Sequence, residues 1–239
     1  MFIQGCKLDW STTDSNTYLR HIPALQTAYI PFTKPVTIFT GENGTGKSTL
    51  LEAMAIASGF NPEGGTKNYA FSTYDDYSEL YKAVRLIRSI QKPENGYFLR
   101  AESFYNVASK EEEYADLTHP SLNLHARSHG ESFLDIAHAY IRPYGLYFLD
   151  EPEAALSPQR QLSLFLEIHN AAQHGAQFFI VTHSVILSGI PDAEILSFDE
   201  GVLHTCAYEE TESYKITEMF LTDCSHGQAR GVLIAKCSL

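Results

Sequence analysis

VTIFTGENGTGKSTLL, running from Val36 to Leu51, joins an apolar run to an apolar helical pattern through an abrupt glycine-rich turn. Gly41, Glu42, Asn43, Gly44, Thr45, Gly46, Lys47 and Ser48 carry the GxxxxGKS spacing of a P-loop. The chemistry dictates these residue types. Glycines let backbone N–H groups turn toward phosphate oxygens, Lys47 reaches the β- and γ-phosphates, and the Ser48 hydroxyl ligates magnesium. A helix starting near Lys47 adds its dipole and free N–H groups to the same anion site. A purely structural turn between strand and helix would need neither Lys47 nor a hydroxyl beside it. The stretch therefore reads as a nucleoside triphosphate site.

A second signature lies about a hundred residues on. Gly145 to Asp150, GLYFLD, is an apolar strand ending in the adjacent carboxylates Asp150 and Glu151, a Walker B pattern. Asp150 is placed to hold magnesium through a water or through Ser48, and Glu151 to polarise an attacking water as general base. Ser157 and Pro158 then read as the N-cap and first turn of a helix that stops at Gly175. Ala176 to Thr182, AQFFIVT, is a further buried strand. It delivers His183 to its carboxyl end, the side on which open α/β sheets place ligands, where the imidazole can sense a γ-phosphate. Ser128, His129, Gly130 and Glu131 directly precede a helical pattern carrying Phe133, Leu134, Ile136, Ala137, Tyr140 and Ile141. Small residues at a helix start can leave N–H groups facing an anion, although an ordinary helix start has the same appearance.

The rest of the 239-residue chain suits one α/β domain or a core with a small inserted lobe. No apolar run approaches the roughly 18 residues that span a bilayer, and no secretory signal is visible at the N-terminus. Cys6, Cys206, Cys224 and Cys237 stand singly, as expected of reduced thiols in a cytoplasm. A net charge of −12 disfavours sequence-blind binding to polyanions. Lys82, Arg85 and Arg88, three apart on an expected helix over 76–91, are the residues from which a local basic patch could be built, a solvated helix face being the plainer reading. Residues 1–35 read as one or two irregular strands and loops, with Trp10, Tyr18, Arg20 and Tyr29 available to hold a base, packing or surface being the plainer reading of each. Residues 61–68 form a polar loop, 96–106 a strand running on into a turn or helix, and 194–208 a hairpin turning at Asp199, Glu200 and Gly201. No heptad array is present, which excludes a long coiled-coil arm.

The order P-loop, SHGE, LYFLDEP, ALSP, FIVTHS resembles the ATP-binding cassette (ABC) ATPases over roughly residues 20–215. Within them it is most similar to the non-transporter, SMC-like branch, including small stand-alone bacterial ATPases that carry the AAA name, through FTGENGTGKSTLLEAMA, GFNPEGG, FLRAESFYN, SHGESFL and LDEPEAALSPQRQ. The resemblance implies a P-loop NTPase of ABC type, a mixed sheet flanked by helices. Its core would occupy about 1–60 and 145–210, with a helical insert at about 61–144 and a divergent tail at 223–239. It also implies two subunits sandwiching two ATPs with Mg2+. Gly41 to Thr49 would cradle phosphate, Asp150 and Glu151 serve metal and water, and His183 act as the switch histidine. Ser128, Gly130 and Glu131 would act in trans on the partner's nucleotide. His129 stands where the transporter signature has glycine. Glu102 is the candidate for the residue that transporters supply as a metal-binding glutamine, with Gln91 second. The function implied is soluble, cytoplasmic, non-transporter ATP hydrolysis coupled to homodimer closure, in DNA repair, phage defence or another process, with protein or DNA as possible partners. The alternatives are a nucleotide-sensing assembly module with little turnover, or a transporter ATPase subunit.

Overall fold

The computed structural model describes residues 1–13, 17–67, 78–100 and 129–225. Its main sheet grows from the apolar runs read above. β3 (Val36–Thr40), β6 (Gly145–Asp150) and β7 (Gln177–Val181) are buried along their whole length, as strands covered on both faces must be. With β5 (Asn95–Arg100), β8 (Glu194–Ser197) and β9 (His204–Cys206) they form a six-stranded sheet in the order β5-β6-β7-β3-β8-β9. The strands from β5 to β8 are parallel and β9 returns antiparallel on β8, the expected hairpin. A second, three-stranded antiparallel sheet has the order β2-β1-β4, built from β1 (Ile3–Leu8), β2 (Tyr29–Pro31) and β4 (Val84–Arg88).

Alternation along each strand divides the core in two. Phe39, Phe148, Phe179 and Val181 face α1 (Lys47–Ala57) and the small sheet. Ile38, Tyr147, Leu149, Phe178 and Ile180 face the opposite layer, made of α2 (His129–Tyr140), α3 (Pro158–Gln173) and the short α4 (Val185–Ser188). α5 (Glu212–Ser225) follows the hairpin. Gln177 joins the two sheets. Fully buried at the start of β7, it accepts the N–H groups of Phe2 and Ile3 at 2.7 and 2.9 Å and donates to the Ile3 carbonyl at 2.7 Å.

Two expectations are corrected. The helix expected over 76–91 is, from residue 78 on, a 3-10 turn (Glu79–Lys82) followed by strand β4. Pairing with β1, in which Leu8 faces Val84 and Cys6 faces Leu86, overrides the helical spacing of the apolar residues. The basic patch dissolves with the helix. Lys82 pairs with Glu79, Arg85 donates to the Lys82 carbonyl and Arg88 to that of Ala57. The insert expected at about 61–144 is also not helical throughout, because β4 and β5 each belong to a sheet and β5 extends the core. Among the described residues of that span, α2 is the helix. No helix among the described residues is long and apolar enough to cross a membrane.

Candidate functional site

Strand register brings the separate motifs to one edge. Phe39 lies level with Val181 on one side and Leu196 on the other; Val181 lies level with Asp150, and Asp150 with Arg100. The residues that follow these strands, from Gly41, Glu151, Thr182 and Phe198 onward, therefore emerge together. β7 separates the P-loop strand β3 from the carboxylate strand β6.

Gly41 and Gly46, with φ of 135° and 97°, take backbone conformations that a side chain would strain. A Cβ on Gly41 would also stand 2.9 Å from an Asp199 carboxylate oxygen. Gly46 caps α1, and the N–H groups of Lys47, Ser48 and Thr49 open the helix toward the turn without carbonyls one turn back. Lys47 is buried, its ammonium donating to the carbonyls of Gly41 and Glu42, each at 2.6 Å. Burial lowers its pKa, opposed by the charges of Asp199, Glu151, Asp150 and Glu42. Ser48 Oγ donates to Asp150 Oδ1 at 2.8 Å, across 102 positions of sequence. The hydroxyl and the carboxylate so paired are hard oxygen donors of the kind magnesium takes. Among the described residues no group of three or more His, Cys, Asp or Glu side chains is arranged to hold a metal unaided. A divalent ion here would draw its remaining oxygens from phosphate and water.

Glu151 has left-handed backbone angles, φ 47° and ψ 53°, and donates its N–H to the Val181 carbonyl at 2.9 Å. Its carboxylate stands 4.0 Å from His183 Nε2. Glu153, two residues on, accepts the backbone N–H groups of His183 and Ser184. Asp199 accepts the Glu42 N–H at 2.9 Å and so ties the first limb of the P-loop to the hairpin. A cleft of about 1000 Å³ opens beside the turn Glu42–Thr45, with His21, Pro23, Asp199 and His204 on its walls.

The structure thus brings Lys47, Ser48, Asp150, Glu151 and His183 to one edge of the sheet. Gly130 and Glu131 lie in the first turn of α2, whereas Ser128 and Glu102 lie outside the described residues. Gln91, the second choice for the metal-binding glutamine, is exposed in the segment between β4 and β5. The aromatic and basic residues considered for base binding do not line the cleft. Arg20 sits 5.5 Å from the centroid of the Trp10 ring, and Tyr29 packs against Gly5. His21 to Ala24 take that place. Asp199 and Glu153 escaped the sequence reading. Asp199 looked like a hairpin turn residue, and only the parallel pairing of β8 with β3 reveals its reach. Glu153 had a visible signal, a third carboxylate in DEPE, but no visible partner.

Comparison with known proteins gives a match of residues 18–121 to the model of an AAA-domain family. Among solved structures, the chain is similar to the SMC head domain of Thermotoga maritima, with 13% identity over 86% of this chain and 98% of that one, TM-score 0.44. It is similar to an ATP-binding cassette of an ABC transporter, with 16% identity over 93% and 96%, TM-score 0.42. A putative metal-chelate type ABC transporter in an inward-facing conformation gives 22% identity over 76% and 75%, TM-score 0.40. No curated protein matches the sequence.

Proposed function

We propose that this chain belongs to the SMC-like, ABC-type P-loop ATPases, hydrolyses ATP with Mg2+ and couples the reaction to closing and opening of a homodimer, a reading that the AAA-domain match over residues 18–121 supports. The observation that carries the reading is the bond from Ser48 Oγ to Asp150 Oδ1. It unites the two signatures at the point where Ser48 and Asp150 would hold a metal for phosphoryl transfer. The P-loop N–H groups and Lys47 would hold the phosphates, the nucleoside would lodge in the cleft beside the turn Glu42–Thr45, and Ser48 and Asp150 would hold Mg2+. The ion, once bound, supplies charge neutralisation at the phosphate oxygens.

Glu151 is the group that would take the proton of the attacking water, with His183 beside it to sense the γ-phosphate. Removing such a general base costs about 10²- to 10⁴-fold in rate. Ser128, Gly130 and Glu131 would complete the partner's site in trans, a role supported by their place in the motif order. The test is steady-state phosphate release by the wild type and by Glu151→Gln, with ATP affinity measured on both. Turnover lost by that factor with affinity kept is the expected result. Equal release from the two proteins would overturn the assignment of Glu151.

A further inference from the structure

His183 and Glu151 are each about two-fifths exposed, at 39% and 44% of their side-chain surface, yet they stand 4.0 Å apart. Side chains so open to solvent are not held by packing, so their spacing depends on what fixes the backbone beneath each. Beneath Glu151 it is the bond to Val181 and the turn closed by the Ala154 N–H on the Glu151 carbonyl. Beneath His183 it is Glu153. One carboxylate oxygen, Oε1, accepts the successive N–H groups of His183 at 2.6 Å and Ser184 at 3.1 Å. Bonds to a charged acceptor are roughly twice as strong as neutral ones. Ser184 is fixed again from α3, donating its hydroxyl to Gln161 Oε1 at 2.6 Å while its oxygen caps α4. The other oxygen of Glu153, Oε2, is buried and has no hydrogen-bond partner among the described residues. Among the described residues the two amide bonds are therefore the hydrogen bonds this carboxylate makes.

We propose that Glu153 is the positioning residue of the hydrolysis site, a clamp across the carboxyl ends of β6 and β7 that sets His183 against Glu151. The inference rests on the reading of Glu151 and His183 given above. Because Glu153 holds the backbone N–H groups of His183 and Ser184, its loss misplaces the imidazole without disturbing the P-loop.

The experiment compares Glu153→Ala and Glu153→Gln in wild-type and His183→Ala backgrounds, reading kcat and KM for ATP, together with the imidazole NMR signal of His183. Displacement of about 1 Å can cost up to about 10²-fold in rate. Glu153→Ala should accordingly lower kcat about 10- to 100-fold with KM changed less than about twofold. Glu153→Gln keeps the acceptor and should restore most of the rate. In the His183→Ala background Glu153→Ala should cost nothing more, since residues acting through one group are not additive. Wild-type kcat in Glu153→Ala, or a full additional loss in the double variant, overturns the inference while leaving the ATPase reading intact. If the wild type releases no phosphate, that reading fails, and the NMR signal still decides the clamp. A His183 ring signal as sharp and as placed in Glu153→Ala as in the wild type refutes it, and a shifted or broadened one supports it.

Discussion

At the scale of the residue, the site is marked by groups held where they would not rest by themselves. Glu151 takes left-handed backbone angles, which cost an ordinary side chain about 1–2 kcal/mol. The N–H bond to Val181 holds it there, and the carboxylate is thereby carried past the strand end. Asparagine tolerates this conformation better than glutamate. Glu151→Asn should therefore raise stability by about 0.5–1 kcal/mol, seen as a small rise in melting temperature, while phosphate release falls about 10²- to 10⁴-fold for want of a base. A destabilised or fully active Glu151→Asn would refute this account of the strain. Lys47 is the complementary case, a buried cation among four carboxylates, satisfied by the two P-loop carbonyls. Its ammonium would bond phosphate when nucleotide binds, and a hydrogen bond to a charged group contributes about 1.5–3 kcal/mol. Lys47→Ala should weaken ATP binding about 10- to 100-fold by calorimetry, and unchanged affinity would remove the lysine from the phosphate site. Both residues were legible in the sequence because their chemistry is local, set by neighbours one to six positions away.

At the scale of the element, legibility depended on whether a segment's partners lie nearby in the chain. β3, β6 and β7 could be read from apolar runs, and α3 from its Ser157 cap, Pro158 and Gly175. β4 could not. VRLIR fits a helix by spacing and becomes a strand only because β1, some 80 positions earlier, offers it a free edge. Gln177 was invisible for the same reason, a polar residue in an apolar strand whose three bonds reach back to Phe2 and Ile3. Its removal leaves two buried N–H groups unsatisfied, each costing about 1–3 kcal/mol. Gln177→Leu should destabilise the protein by about 2–4 kcal/mol and lower the melting temperature by about 5–15 °C. Cys6 reports where the damage falls. It is buried in β1, and burial raises its thiol to about 12, so in the native wild type it should resist alkylation at neutral pH. Faster labelling of Cys6 in Gln177→Leu would locate the loosening in the small sheet. Labelling no faster than in the wild type would mean that Gln177 does not anchor β1. Asp199 gives the corresponding test on the hairpin side. Asp199→Ala frees the Glu42 N–H and should raise KM for ATP about 3- to 10-fold with a smaller change in kcat, the cost of about 1 kcal/mol for one exposed hydrogen bond that orders the loop.

At the scale of the whole molecule, the question is whether one chain holds a complete site. The carboxyl edge of the sheet gathers Lys47, Ser48, Asp150, Glu151 and His183 from one chain, while His129, Gly130 and Glu131 open α2 in the layer on the far face of that sheet from α1. A signature acting in trans makes two defects complementary in a way that a monomeric P-loop enzyme does not allow. Place Lys47→Ala on one chain and Ser128→Arg on the other. Each homodimer should be inactive, the first lacking a phosphate cradle at both sites, the second obstructed at both by a bulky cation where small residues should face the nucleotide. In the mixed dimer one composite site carries both lesions, whereas the other pairs an intact P-loop with an intact SHGE. Statistical mixing of equal amounts gives about half the dimers as heterodimers. With independent sites, phosphate release should then recover to about one quarter of the wild-type rate, and it should vary with the mixing ratio as the product of the two fractions. No recovery, with heterodimers verified by differential tagging, would show that the sites fire only together or that the motif does not act across an interface. Full activity of the Ser128→Arg homodimer alone separates those outcomes, since it would reduce SHGE to an ordinary helix start and leave the chemistry within a single subunit.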